Sequence, residues 1–596
     1  MKVVIVGAGP AGLVTCKTLL EASSTELPFD PIVLEQDDDV GGAFRTRWYE
    51  DANLVSSKQL TAFSDFRFSS SDLDHLPLEQ YVDYLRAYSK NFRIEERIQF
   101  NSRVVNIRRA PEGGHFISYV RKRTDGSGQW QDSPTVIHAT YVAICTGLLT
   151  MPAVPDIPGI ENILNNTTPE SENAGIKPAI FHSEDYKSRS QLAGRKLLIL
   201  GSGETAMDLA YGAAQVGAKE VVLCSRSGFL SFPKYLNDFE ILGFQFKSNN
   251  PIPTDCLSTN FTDTAYVHPW IAASRIRWFI SDFVLKWASW FLTGTQAGVN
   301  QWVGELEPKR RSRAYAFPNK SPKAMPYINR PYRNPPKTLD YFSRYIDPPE
   351  DMPPNTNFGV ELAPFPSHVL PSGRVVFPVS KRKDAIRIAR KDVRPDTVIY
   401  ATGFKQEFNF FDPESKYTSL GERDIRDITK TGDESVGFIG FLRPGYGAIP
   451  PVVEMQAFFW ISLLKGQVEK PLPPPHYHLL LEKSARIKNG IDYSTYVGTL
   501  AKDIGAAPGL WELWREYGSR VLICYCFGAA FTPFFRLVGP FRSEHAPEII
   551  KTELWETITR RGILGNLLMS IPVLLYGTLN ATAYLAERLG RTIGAL

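Results

Sequence analysis

The sequence predicts an α/β protein with two dinucleotide-binding, Rossmann-like domains, the second inserted into the first, followed by a helical, membrane-associated C-terminal region. Three observations predict it. A strand–glycine turn–helix signature opens the chain and recurs ~190 residues later. Each signature is matched further on by an apolar strand ending in Thr-Gly, and the chain closes on a long uncharged apolar run.

The first signature is the more complete. Met1-Lys2-Val3-Val4-Ile5-Val6 is an apolar strand that runs into Gly7-Ala8-Gly9-Pro10-Ala11-Gly12, a G-x-G-x-x-G turn. A helical pattern through Leu13, Cys16, Leu19 and Leu20 follows, and then the strand Pro31-Ile32-Val33-Leu34 ends on Glu35. Gly7 permits the tight turn, Gly9 lets a pyrophosphate approach the backbone, and Gly12 lets helix and strand pack closely. The helix N-terminus offers N–H groups to phosphate, and Glu35 stands where an acid accepts ribose hydroxyls. Gly41-Gly42-Ala43-Phe44 follows, a double glycine for close backbone approach with an aromatic ring to cover a cofactor.

Residues 79–90 read as an amphipathic helix, and Arg103–Ile107 and Phe116–Val120 as strands. Tyr141–Gly147 is an apolar strand ending in Thr146-Gly147. The second signature is Lys196–Leu200, then Gly201-Ser202-Gly203-Glu204-Thr205-Ala206, with a helix from Met207. Its next strand, Glu220–Cys224, ends in Ser225-Arg226 instead of an acid. An arginine there pairs with a 2′-phosphate, which predicts NADPH over NADH. The strand Asp396–Ala401 then ends in Thr402-Gly403 and is expected to be the return of the chain to the first domain.

Three segments stand outside this pattern. Pro269–Gly294 carries Trp270, Trp278, Trp287 and Trp290, with Arg275, Asp282 and Lys286 on one helical face. An amphipathic helix of this kind suits a bilayer interface, with packing on its own domain as the alternative. Pro331–Pro336 and Pro348–Pro354 read as extended connectors. Gly562–Ala586 is uncharged over 25 residues, long enough for the ~20 that a spanning helix needs. Asn566, Ser570, Pro572, Thr578 and Asn580 temper its apolarity, so a tail anchor, an interfacial hairpin and a buried helix all remain open.

Length and composition set the bounds. The 596 residues exceed the ~150 expected of one domain, and 43% apolar with 22% charged residues is an ordinary globular balance. The net charge of +4 is not gathered into a basic block, so no nucleic-acid partner is expected. Six cysteines contain no C-x-x-C pair, which removes a zinc ribbon and a redox dithiol and fits a reducing compartment. Met1 already opens the first strand, so no signal peptide is expected and the folded body should face the cytosol.

Two dinucleotide sites in one chain pair most sensibly as flavin and nicotinamide, since hydride passes from one to the other. The expected units are 1–165, the first half of an FAD-binding domain; 190–350, an NADPH-binding domain with an insert; 360–470, the second half of the FAD domain; and 471–596, a hydrophobic helical region.

From Met1 to about residue 465 the chain resembles the flavin-containing monooxygenase family. The resemblance rests on the two glycine turns, Glu35 with Gly41-Gly42, and the stretch Ser57-Lys58 to Phe63-Ser64-Asp65-Phe66. It rests also on Cys145-Thr146-Gly147, His182 to Tyr186, Ser225-Arg226, Ala401-Thr402-Gly403, and the run from Gly440 through Gly447-Ala448-Ile449 to Glu454 and Gln456. There are departures. Ile176 and Pro178 replace the Phe and Gly of F-x-G-x-x-x-H-x-x-x-Y, Phe44 stands where a tryptophan is usual, and Val55 where an asparagine is usual.

The resemblance implies a small organic substrate and O2, with FAD and NADPH as cofactors and neither a protein nucleophile nor a metal. FAD reduced by NADPH forms a C4a-hydroperoxyflavin, and a soft nitrogen or sulfur nucleophile takes its distal oxygen. It assigns cofactor binding to Gly7, Ala8, Gly9, Pro10, Ala11, Gly12, Glu35, Gly42, Ala43, Phe44, Val105, Thr146 and Gly147. Gly201, Ser202, Gly203, Glu204, Thr205, Ser225, Arg226, Thr402 and Gly403 complete that set, and Ser56 and Lys58 are the candidates for the catalytic centre. His182 reads as structural. The hydrophobic C-terminus resembles that of membrane-associated members, so association of the endoplasmic-reticulum type through 562–586 is expected, with 270–292 as a second contact on the strength of its own tryptophan pattern. A Baeyer–Villiger oxygenase tends to carry Trp where this chain has Tyr186, and a degenerate flavoprotein with a binding role remains the alternative from a different class.

Overall fold

A computed structural model describes the chain except for residues 124, 126, 166–174, 237–238, 242–243, 247–250, 263–264, 277–278, 281–282, 284–285, 288–289, 291–298, 308–317, 330–357, 480–488 and 595–596. Both proline-rich connectors, Trp278 and Asp282 lie outside the described residues.

Two five-stranded parallel sheets organise the molecule. The first runs Val436–Phe438, Tyr141–Ile144, Lys2–Val6, Asp30–Leu34, Ile98–Gln99. The second runs Val360–Ala363, Glu220–Cys224, Lys196–Leu200, Thr397–Tyr400, Ala179–His182. Their central strands are buried on both faces, as at Val3–Val6 and Leu197–Leu200. That is why they read as continuous apolar runs instead of alternating ones. The second sheet lies wholly between strands of the first, so the second domain is an insertion.

The point of return differs from expectation. The strand ending before Thr402 pairs with Lys196–Leu200 and belongs to the second sheet. The chain re-enters the first sheet only at Val436–Phe438, beside Tyr141–Ile144. The reason is that Thr-Gly is part of the repeated unit and not a mark of one domain. In both sheets it ends the strand against which the glycine turn closes, Gly7 on Cys145-Thr146 and Gly201 on Ala401-Thr402. The boundaries move accordingly: the second sheet begins at Ala179 rather than 190 and takes in Val360–Tyr400. Its glycine-turn helix starts at Glu204, one turn before Met207.

The expected helix is Leu78–Asn91, and the strand pair at 103–120 becomes a three-stranded antiparallel meander, Ser102–Arg109, His115–Arg121 and Thr135–Ala139.

Residues 471–561 do not form a separate region where they are described. Tyr477, Tyr496, Leu500, Phe534 and Ile550 share one buried core with Leu13, Phe63 and Phe458. Ion pairs fasten the same segments: Arg67–Glu553 at 2.7 Å, Arg560–Asp74 at 2.7 Å and Arg536–Asp65 at 3.2 Å. The uncharged run 521–535 is therefore interior. Only the helix Gly562–Thr592 stands apart, 31 residues long with Tyr576 and Gly590 its buried positions. It packs on the Trp-rich segment, where Val267, Ile271, Ile280 and Tyr576 cluster and His268 N–H donates to Asn580 Oδ1 at 2.6 Å. Trp270, Phe279, Phe283, Trp287 and Trp290 stay exposed.

Candidate functional site

The first glycine turn is shaped by its own glycines and then leaves room. Gly12 fills a place where a Cβ would lie 1.9 Å from Gly7 O. Gly9 is different. Its φ of −74° suits any residue, and the nearest atom to a built Cβ is Gly42 Cα at 3.8 Å. The second turn repeats this: Gly203 has φ −77°, and a Cβ there meets nothing within 4 Å. Neither backbone conformation nor internal packing requires glycine at these two positions. The bare backbone at both leaves room for a ligand to lie close against it.

Around Gly9 the remaining groups converge. No side chain caps the helix Pro10–Ala22, whose first turn holds no acid, so its N-terminus is open to an anion. Glu35 is buried and accepts Ala8 N–H at 2.5 Å and Asp37 N–H at 2.9 Å. Burial raises its pKa above the ordinary glutamate value, with those amide bonds opposing. Each carboxylate oxygen accepts more than one hydrogen bond, so Glu35 shapes the loop and still has lone pairs for a ribose. Thr146 Oγ1 is buried with no partner, directly at the strand end over which Gly7 turns. Gly42 takes φ +53° ahead of the short helix Ala43–Thr46, and Phe44 packs edge-on to Tyr81 at 4.7 Å. Val105 sits at a break in strand register between Val104 and Asn106. An open helix end, an orphaned hydroxyl and a bare Gly9 fit a dinucleotide with a pyrophosphate at its middle, as FAD has.

At the second turn Ser225 is buried and Arg226 exposed, with no ion-pair partner for Arg226 among the described residues. Arg382 joins them, which sequence reasoning missed. Its guanidinium donates to Ser225 O at 2.9 Å, Arg226 O at 2.8 Å and Ser225 Oγ at 3.1 Å. Its remaining donors pair with buried Asp384, so Arg382, 156 residues on in the chain, braces the strand end and leaves Arg226 as its open cation. Nothing in the local sequence around Arg382 marks it. Glu204 and Thr205 form the first turn of the helix. Thr402 differs from its counterpart Thr146, since its hydroxyl donates to Ala153 O. His182 uses both ring nitrogens, Nε2 on Gly403 O at 3.1 Å and Nδ1 accepting Glu184 N–H at 3.3 Å, and burial lowers its pKa. It is a structural histidine.

Between the turns the insert presses on the stretch 54–58. Asp255 Oδ2 accepts Ser57 N–H at 2.7 Å while its Oδ1 is buried without a partner. Lys234 Nζ donates to Leu54 O at 3.0 Å, beside Val55, and burial pushes its pKa down to about 8. Lys58 has another task than the one expected. Its ammonium donates to the carbonyls of Ser69 at 2.8 Å, Ser70 at 3.1 Å and Asp72 at 2.5 Å. An ammonium has three N–H donors, so none is left for a reacting molecule. Ser56 is buried and shares a 2.7 Å hydrogen bond with Thr61 Oγ1. Both residues hold the loop; neither is placed as a catalyst.

Comparison with known proteins agrees with this geometry. The family described as flavin-binding monooxygenase-like matches residues 1–238. Monooxygenase cfoE of Aspergillus candidus is 36% identical over 98% of this chain and 98% of its own. Flavin-containing monooxygenase 1 of Rattus norvegicus is 25% identical over 94% of this chain and 93% of its own. The structure of S-allyl-L-cysteine S-oxygenase from Allium sativum shares the fold, with TM-score 0.51 and 15% identity over 94% of this chain and 98% of that one. With two nucleotide turns in inserted order and a relative of this identity along its whole length, the chain belongs to the flavin-binding monooxygenase-like family.

Proposed function

We propose that this enzyme uses FAD and NADPH to place one oxygen atom of O2 on a soft nitrogen or sulfur nucleophile of a small organic substrate. The observation that carries the reading is the pair of bare glycines, Gly9 and Gly203, one served by Glu35 and the other by Ser225-Arg226. Bound flavin supplies the redox and oxygen chemistry. The chain's residues bind and orient: Thr146 Oγ1 and Glu35 hold the first nucleotide, and Arg226 favours a 2′-phosphate on the second, on a strand end that Arg382 braces. The insert's contacts on Leu54 and Ser57 close the seam between the sites, which keeps water from the reacting atoms.

The test is product analysis with 18O2, NADPH and a panel of tertiary amines, sulfides and cyclic ketones. N-oxide or sulfoxide carrying one labelled oxygen is the expected product. Lactone from the ketones with no oxidised amine or sulfide would replace this reading with Baeyer–Villiger chemistry.

The same enzyme is held at a membrane, of the endoplasmic-reticulum type, with its folded body on the cytosolic side. Support comes from the helix Gly562–Thr592, which exposes Ile563, Leu567, Ile571, Leu574 and Leu585, and from the aromatic side chains exposed next to it. Tryptophans at the border of an apolar surface suit a bilayer interface. Deleting 562–596 should abolish flotation with liposomes while the flavin stays bound; flotation that survives the deletion would place the contact elsewhere.

A further inference from the structure

A strap from the insert crosses between the two nucleotide turns, and it carries a charge. Asn319 Nδ2 donates to Ser202 O at 2.8 Å, inside the second glycine turn. The next residue, Lys320, donates from Nζ to Gly447 O at 2.8 Å. Gly447 leads into the helix Ile449–Leu464, whose first turns lie beside those of the helix Pro10–Ala22. At Gly440, between them, a Cβ would stand 3.2 Å from Val453 and 3.4 Å from Ala11. One dipeptide therefore ties the second glycine turn to the loop that leads into the helix packed on the first.

The strap is held firmly. Asn319 N–H donates to Leu230 O at 2.8 Å and its carbonyl accepts Phe232 N–H at 2.8 Å. Ser321 Oγ donates to Asp208 Oδ1 at 2.6 Å. Lys320 itself is short of partners. Gly447 O takes one of its three donors, and no carboxylate among the described residues lies within ion-pair distance. Burial lowers its pKa and the Arg443 cation adds to that, while Asp255 and Glu204 oppose from a distance. A partly buried ammonium with donors to spare is balanced when negative charge arrives beside it.

Resting on the function proposed above, we infer that Lys320 is a positioning residue for the transfer between the two nucleotides, its charge favouring the reduced state of the flavin. In that transfer a nicotinamide C–H bond breaks with its electron pair and a flavin N–H bond forms. NADPH is oxidised to NADP+ while the flavin, gaining one proton and two electrons as a hydride, becomes an anion. A fixed cation at the junction stabilises the anion and costs the neutral oxidised ring little.

The experiment compares wild type with Lys320→Met and Lys320→Arg, following flavin content, midpoint potential against a reference dye, and anaerobic reduction by NADPH. Lys320→Met should keep its flavin and its NADPH Kd, take a more negative potential, and lose about tenfold or more in the limiting reduction rate. Dithionite, which bypasses the second site, should still reduce it fully. Lys320→Arg should keep the wild-type potential. A Lys320→Met variant with wild-type potential and rate overturns the inference, and so does a Lys320→Arg variant as impaired as Lys320→Met. Should Lys320→Met lose flavin, Lys320→Gln carries the same two readouts. Wild-type protein whose flavin NADPH leaves oxidised overturns the proposed function itself, independently of any variant.

Discussion

The two glycine turns share their backbone pattern and are unlike in what surrounds them. Gly9 and Gly203 have φ of −74° and −77° with the same ψ of −177°. Gly7 N–H donates to Leu34 O at 2.9 Å, and Gly201 N–H to Cys224 O at 3.0 Å. Each first glycine takes a positive φ, +105° and +132°, and crowds the Thr-Gly strand end, where a Cβ would meet Cys145 O at 2.8 Å or Ala401 O at 2.2 Å. The differences begin at the next strand. One ends in buried Glu35 and the other in Ser225-Arg226 backed by Arg382. One threonine, Thr146, has an orphaned hydroxyl, while the other, Thr402, spends its hydroxyl on Ala153 O. On the function proposed above, the shared turn would cradle a pyrophosphate and the few side chains outside it would choose the nucleotide.

The largest effect that would sharpen this comparison is loss of one nucleotide at a time. Gly9→Val should fold, since the site has room for a Cβ, yet purify nearly free of flavin. Gly203→Val should keep flavin and lose reduction by NADPH. Absorbance of the purified variants decides it, and a yellow Gly9→Val protein would break the assignment.

Next comes cofactor preference. Arg226→Ala should raise KM for NADPH and leave NADH nearly unchanged, a loss of ~1.5–3 kcal/mol for a hydrogen bond to a charged group. Equal losses with both nucleotides would show that Arg226 does not read the 2′-phosphate.

The smallest effect lies between the turns, at Val55. Lys234 donates to the neighbouring Leu54 carbonyl, but no side-chain amide stands at residue 55. Wild type should release part of its NADPH equivalents as hydrogen peroxide, and Val55→Asn should lower that leak by about two- to twelvefold, the range for one hydrogen bond of ~0.5–1.5 kcal/mol. Peroxide per NADPH measures it; a fully coupled wild type would contradict the expectation.

The strands and turns that build both cradles are legible in the sequence because a parallel strand buried on both faces is a continuous apolar run, and because the first position of each turn, crowded and at positive φ, admits little but glycine. Glu35 and Ser225-Arg226 are legible for the same local reason: they follow their strands directly. What local pattern cannot show is pairing across distance. The Thr402 strand looked like a return to the first sheet because its ending repeats that of Thr146, and only hydrogen bonding to Leu197–Leu200 assigns it to the second. Lys58 sits in a family motif, but its three carbonyl partners come from a loop that no motif marks. Arg382, Asp255, Asn319 and Lys320 reach the site from segments whose sequence carries no nucleotide signal. The burial of 471–561 depends on apolar faces meeting the first domain, which composition alone does not reveal.

The central claim, that one chain holds a flavin at the Gly9 turn and a reducing nicotinamide nucleotide at the Gly203 turn, is tested most directly by anaerobic titration of the purified protein with NADPH. The account predicts a yellow protein whose flavin absorbance is bleached by one equivalent of NADPH and returns on admitting O2. A colourless protein, or a flavin band that NADPH leaves unchanged, would contradict it.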